Sequence, residues 1–238
     1  MNDNKRYIVC MLLSLLFIEC TTTKQLQFKK GTTNNIELGV IVKKEGVLKN
    51  NIEVKGIPLL TEKLKVTITQ KEFTKTSFAK YNSIYNSQKP IVSYSDDSQN
   101  KPTYFEVELI DDIGYATAIN NDISIREYVK NSKDAGVITK IAMVTMATID
   151  MTGVTASFIE DTANKTYAVS LYKKEELVQT INFSEVVIFE YQTSYFCYGK
   201  NERGQVVVMD IVEEGKSCKR PLERKAKKLN TIKRLADY

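Results

Sequence analysis

Leu64-Lys65-Val66-Thr67-Ile68-Thr69 and Tyr104-Phe105-Glu106-Val107-Glu108-Leu109-Ile110 decide the fold of this chain. In both, apolar residues recur at every second position with Lys, Thr or Glu between them. Successive side chains of a strand point to opposite faces. A period of two therefore puts one face against a core and leaves the other wet, as in antiparallel sheet.

Working outward, residues 36–42 and 52–54 precede these runs with the same pattern, around turn-compatible Glu45-Gly46 and Asn50-Asn51. Residues 155–160, 166–172, 177–183, 186–191 and 205–211 follow as a meander broken by groups such as Asp161-Thr162-Ala163-Asn164. Residues 137–149 are rich in Val, Ile, Thr and Met, and β-branching favours a central strand there. Residues 80–102 read as a polar loop interrupted by a short strand at Ile91-Val92-Ser93-Tyr94. Ser124-Ile125-Arg126-Glu127 fits a capping box, and Ile125, Tyr128 and Val129 continue with helical spacing toward a stop at Gly136. Leu222, Ala226, Leu229 and Ile232 share one helical face after Pro221. The expected fold is a β-rich α+β domain, a mostly antiparallel sandwich or open barrel with one internal helix and a C-terminal helix.

The N-terminus reads differently. Lys5 and Arg6 lead into an apolar run over residues 8–18, closed by Glu19-Cys20-Thr21-Thr22-Thr23-Lys24. The run is too short to cross a bilayer, which takes about 20 residues. No alanine occurs before Ala79, so the small-residue pattern of an ordinary cleavage site is missing. A cysteine at the end of the run, followed by a polar tether, resembles the acylation site of a bacterial lipoprotein. The resemblance covers about 24 residues and implies a signal peptide over 1–19, a lipidated Cys20 and a tether over 20–35. The β-rich domain then occupies 36–221, and a basic helix 222–238. The implied location is the cell envelope, anchored in a membrane by lipid and facing away from the cytoplasm.

Composition narrows the function. The net charge is +5, but residues 216–238 carry nine Lys/Arg against two acids, leaving −2 for the rest. That distribution does not fit a basic face for nucleic acid, and no nucleic-acid partner is expected. The sequence has no histidine, which excludes Ser-His-Asp and Cys-His catalysis within it and the imidazole of most catalytic zinc sites. No cofactor or metal motif is complete. Glu214-Gly215-Lys216-Ser217 lacks the first P-loop glycine, since Asp210 stands there. The acidic pairs Asp96-Asp97, Asp111-Asp112 and Glu213-Glu214 have no EF-hand spacing, and Asp161-Thr162-Ala163 is similar to a short O-glycosylation sequon.

Cys197 and Cys218 remain as a candidate disulfide. A plain hairpin turning at 199–204 sets Cys197 near Val206, so a bridge needs the chain to double back around Gly215. Tyr191, Tyr195 and Tyr198, with Tyr94 in the polar loop, are candidates for a ligand surface, because tyrosines make sticky contacts of low entropy cost. The expected role is a binding or scaffold subunit of an envelope assembly, with an envelope protein partner. The alternatives are a carbohydrate- or small-ligand-binding lipoprotein and a carboxylate-based hydrolase.

Overall fold

Thr67 and Glu108 stand side by side on one face of a ladder, and Ile68 and Val107 on the other. The alternation thus forms the antiparallel sheet it predicts. The computed structural model describes residues 29–30, 36–44, 52–84, 91–97, 100–163 and 166–231. The leader, Cys20, most of the tether and residues 232–238 lie outside them.

The strands are β1 (Lys29–Lys30), β2 (Ile41–Lys44), β3 (Ile52–Gly56), β4 (Leu64–Glu72), β5 (Thr103–Leu109), β6 (Ala135–Thr145), β7 (Ala156–Asp161), β8 (Tyr167–Lys173), β9 (Glu176–Asn182), β10 (Val186–Lys200) and β11 (Val206–Glu213). All pair antiparallel in one open sheet, in the order β1-β10-β6-β5-β4-β7-β8-β9. β11 is added to β10, and β2 joins β6 and carries β3. The fold is therefore β-rich α+β, with every described strand in a single sheet. The central strand expected over 137–149 is borne out for 137–145, which lie in β6, whereas residues 146–149 lie past its end. β6 is buried along nearly its whole length on both faces. This explains why its sequence reads as a continuous apolar run. Gly136 is part of this strand and ends no helix. A Cβ there would come within 2.8 Å of the Ser194 carbonyl oxygen, so glycine permits the close approach of β10.

Among the described residues three helices precede the C-terminal one, where the sequence suggests one. In α1 (Lys75–Asn82), Thr74 and Ser77 cap one another reciprocally, and Phe73 meets Phe78 at 5.7 Å between ring centres. The two form a capping box and a hydrophobic staple. α2 (Asp112–Asn121) starts on Asp111, whose carboxylate accepts from the Gly114 N–H. α3 (Ile123–Asn131) is the expected internal helix, but Asp122 caps it by accepting from the Ile125 N–H at 3.0 Å. Ser124 lies inside the helix, and Glu127 pairs with Lys130 instead of closing a box. α4 (Ala226–Thr231) begins later than residue 222, because the backbone of Glu223 pairs with Tyr198. Residues 91–94 form no strand, and Ile91 is 98% exposed.

One face of the sheet carries the main core, with Val107, Ile138, Ile141, Val169, Tyr115 and Ile119 at its centre. Under α1, the opposite face buries a smaller aromatic cluster. There Phe189 touches Phe73, Tyr81 and Tyr104 at 5.2–5.6 Å between ring centres. Ile141 is fully buried in β6 between β5 and β10. Ile141→Ala should lose about 2–5 kcal/mol of stability, whereas exposed Thr67→Ala should stay within about 0.5 kcal/mol. Urea denaturation of both variants checks this, and equal losses would contradict the placement of the core.

Candidate functional site

The tyrosines suggested by the sequence do not make one surface. Tyr191 is 1% exposed and Tyr198 4%, and both belong to the main core. The Tyr198 hydroxyl donates to the Val129 carbonyl at 2.7 Å, tying β10 to α3. Burial pushes its ionisation upward. Tyr195 is partly exposed, lies under the Arg224 guanidinium at 4.4 Å and donates to Glu214 at 3.2 Å. Tyr94 sits on Phe78 at 5.0 Å and donates to Asp96 at 2.6 Å. Clustering in sequence failed as a guide because β10 is largely buried on both faces.

The cysteines do meet. Cys197 and Cys218 form a disulfide with their Cα atoms 5.7 Å apart. The plain hairpin register is shifted: Lys200 opposes Val206 and Tyr198 opposes Val208, but Cys197 opposes Asp210, so Met209 is the extra residue of a bulge. The chain then turns at Glu214-Gly215, with Gly215 at φ +87°, and runs back past β10. Tyr198 and Glu223 exchange backbone hydrogen bonds at 2.8 and 2.9 Å, and the Arg224 guanidinium donates to the Phe196 carbonyl at 3.0 Å. β6 pairs with β10 as far as Ser194. The return segment thus takes up the edge that β6 leaves.

Beside this segment opens a cleft of about 350 Å³, lined by α3 (Arg126, Glu127, Lys130, Asn131), the 204–207 end of the β10–β11 hairpin, and Ala226 and Lys227 of α4. Three cations and one carboxylate face it. Lys130 holds that carboxylate at 3.0 Å and Arg126 at 3.7 Å, which draws Glu127 below its usual range. Arg126 also donates to the Asn120 carbonyl at 2.9 Å. The Asn120 carboxamide in turn donates to the Val208 carbonyl at 2.7 Å and accepts from the Val208 N–H at 3.0 Å. Sequence reasoning missed this site because its walls come from three separate parts of the chain.

Several other acids have partners of their own. On the sheet face beside α1, Glu106 and Glu190 flank Ala142 in one rung. Lys80 of α1 pairs with Glu190, while Lys140 lies 3.2 Å from Glu106 and 3.3 Å from Glu108. Burial raises the Glu190 carboxyl, and Lys80 opposes that rise. The network anchors α1 to the sheet. Asp96 binds Tyr94 and Lys75, Asp111 caps α2, Glu213 pairs with Lys216, and Glu214 with Lys44. Asp161 accepts from the Leu60 N–H at 2.8 Å. Glu214-Gly215-Lys216-Ser217 opens with a tight turn closed by Lys216 N–H on the Glu213 carbonyl. Among the described residues no group of His, Cys, Asp or Glu has the geometry to hold a metal.

No family model matches the chain, and no curated protein or solved structure is significantly similar to it.

Asp112, in the first turn of α2, has its carboxyl pushed up to about 6, by burial first and then by Asp210, Asp111, Glu108 and Glu213. An unfolded aspartate titrates near 3.9. Between about pH 4 and pH 6 the unfolded chain therefore releases a proton that the folded chain retains, and stability falls as pH rises through this window. Asp112→Asn should melt higher than the wild type at pH 7.5 and at about the same temperature at pH 4. Thermal melts at the two pH values check this, and a shift independent of pH would contradict it.

Proposed function

We propose that this chain is a lipid-anchored protein of a bacterial cell envelope, held by acylated Cys20 with its β-rich domain facing away from the cytoplasm. It acts there as a binding or scaffold subunit of an envelope assembly. The leader pattern over residues 5–24 supports the anchor. A processed bacterial cysteine carries at least two acyl chains, enough for stable attachment. The Cys197–Cys218 bridge adds support, since disulfides persist in oxidising compartments.

The observation that carries the binding role is the charged cleft between α3, α4 and the β10–β11 hairpin. It is concave, reaches solvent and offers several polar groups from rigid elements, as recognition sites do. It offers no general base: its one carboxylate is held by Lys130 and Arg126. Carbohydrate binding on the four tyrosines receives less support, because two of them are core residues.

Two experiments test the proposal. Labelling cells with radioactive palmitate should mark the wild type and leave Cys20→Ala unmarked; equal label in both would overturn the anchor. Tagged full-length protein, purified from its own membranes after mild cross-linking, should bring a stoichiometric envelope protein with it. Recovery of the chain alone would overturn the subunit role.

A further inference from the structure

Among the described residues, the edge of β11 turned away from β10 has an unusual occupant. Val208 turns its N–H and C=O away from β10, and the Asn120 carboxamide meets both, taking the place of a neighbouring strand's peptide group. Tyr198, opposite Val208, likewise turns its N–H and C=O outward, to Glu223. Position 198/208 is therefore a non-hydrogen-bonded pair of the ladder. The next such pair is Lys200 and Val206, because Asn201 bonds Gln205 across the tip of the hairpin. Alternation then directs the Val206 N–H and C=O to the same edge as those of Val208, about 7 Å further along at 3.4 Å per residue. Val206 lines the cleft, beside Arg126, Lys130 and Lys227.

We infer that this cleft binds a short extended peptide segment rich in carboxylates, which continues the edge pairing of Asn120 by hydrogen-bonding Val206 while its acids meet Arg126, Lys130 and Lys227. The inference rests on the reading of the chain as a binding subunit and names the chemistry of its partner. One feature selects a peptide over a simple anion, and a second selects an acidic peptide over a basic one. The outward Val206 carbonyl is an acceptor that repels phosphate or sulfate, whereas a peptide brings an N–H to it and a C=O to the neighbouring N–H. Among the lining residues cations outnumber the one carboxylate, Glu127, so an acidic strand complements it and a basic one does not.

Fluorescence anisotropy on the full-length protein in detergent micelles tests this with three labelled hexapeptides: Thr-Val-Glu-Val-Glu-Thr, its Glu-to-Lys counterpart, and the acidic peptide N-methylated at the central valine. The acidic peptide should bind and shift the Val206 amide resonance of ¹⁵N-valine-labelled protein. The lysine and N-methyl peptides should each bind at least about tenfold more weakly. The double variant K130E/K227E should weaken the acidic peptide at least about tenfold, and the lysine peptide should gain. Equal binding of the N-methyl peptide, or its displacement together with the acidic peptide by millimolar inorganic phosphate, would overturn strand pairing and leave an anion site. No binding of any peptide, with a cross-linked partner still recovered, would overturn this inference alone. No binding and no partner would overturn the subunit role as well.

Discussion

A strand as long as β10 must find partners for the backbone groups on both of its edges. Burial along its length leaves those groups no water to bond, and an unpaired buried amide or carbonyl costs about 1–3 kcal/mol. β6 covers one edge from Val186 to Ser194, and β1 and β11 share the other. Past Ser194 the first edge would lie open at Phe196 and Tyr198. The return segment closes it through Glu223 and Arg224. The segment at Glu223-Arg224 is thus bonded to the edge of the sheet, and the start of α4 is set by where that pairing ends.

The disulfide fixes this arrangement. It closes a loop with a sequence separation of 21, for which the chain-entropy account gives about 3 kcal/mol. It joins β10, one residue from Tyr198, to the segment that must return to it. Ala226 and Leu229 then dock into the core beyond Glu223, which brings Lys227 to the cleft. On the far wall, the Tyr198 hydroxyl holds the Val129 carbonyl of α3, and Asn120 at the end of α2 holds Val208 of β11. The cleft therefore depends on contacts made to both edges of the same hairpin.

Much of this fold was legible in the sequence. The period of two in 64–69 and 104–110 marks β4 and β5, and the first part of the apolar run at 137–149 marks the doubly buried β6, which ends at Thr145. Leu222, Ala226 and Leu229 announce a docked face, although only Ala226 and Leu229 lie in the helix. α1 carries a weaker signal: Phe73 and Phe78 have the spacing of a staple around Thr74, but Ser77 stands where the capping-box signature has Glu or Gln, and lysines and serines nearby suggest a loop. α2 was masked by apolar residues on several of its sides, among them exposed Ile113. The pairing of Cys197 with Cys218 could not be counted from the turn, since the Met209 bulge shifts the register and the return strand is non-local. The tyrosine surface failed for a related reason: sequence proximity does not reveal a strand covered on both faces. The cleft has no linear signature at all, because a hairpin tip, one turn of α3 and the start of α4 meet only in three dimensions.

The dependence of the β10 edge on the disulfide-held return segment is most directly measured by amide hydrogen exchange on the oxidised and reduced full-length protein. Reduction should speed exchange at Tyr198 and Glu223, which bond one another, while Tyr191, where β10 is paired with β6 and β1, keeps its protection. Unchanged exchange at Tyr198 and Glu223 after reduction, or an equal rise at all three amides, would contradict this account.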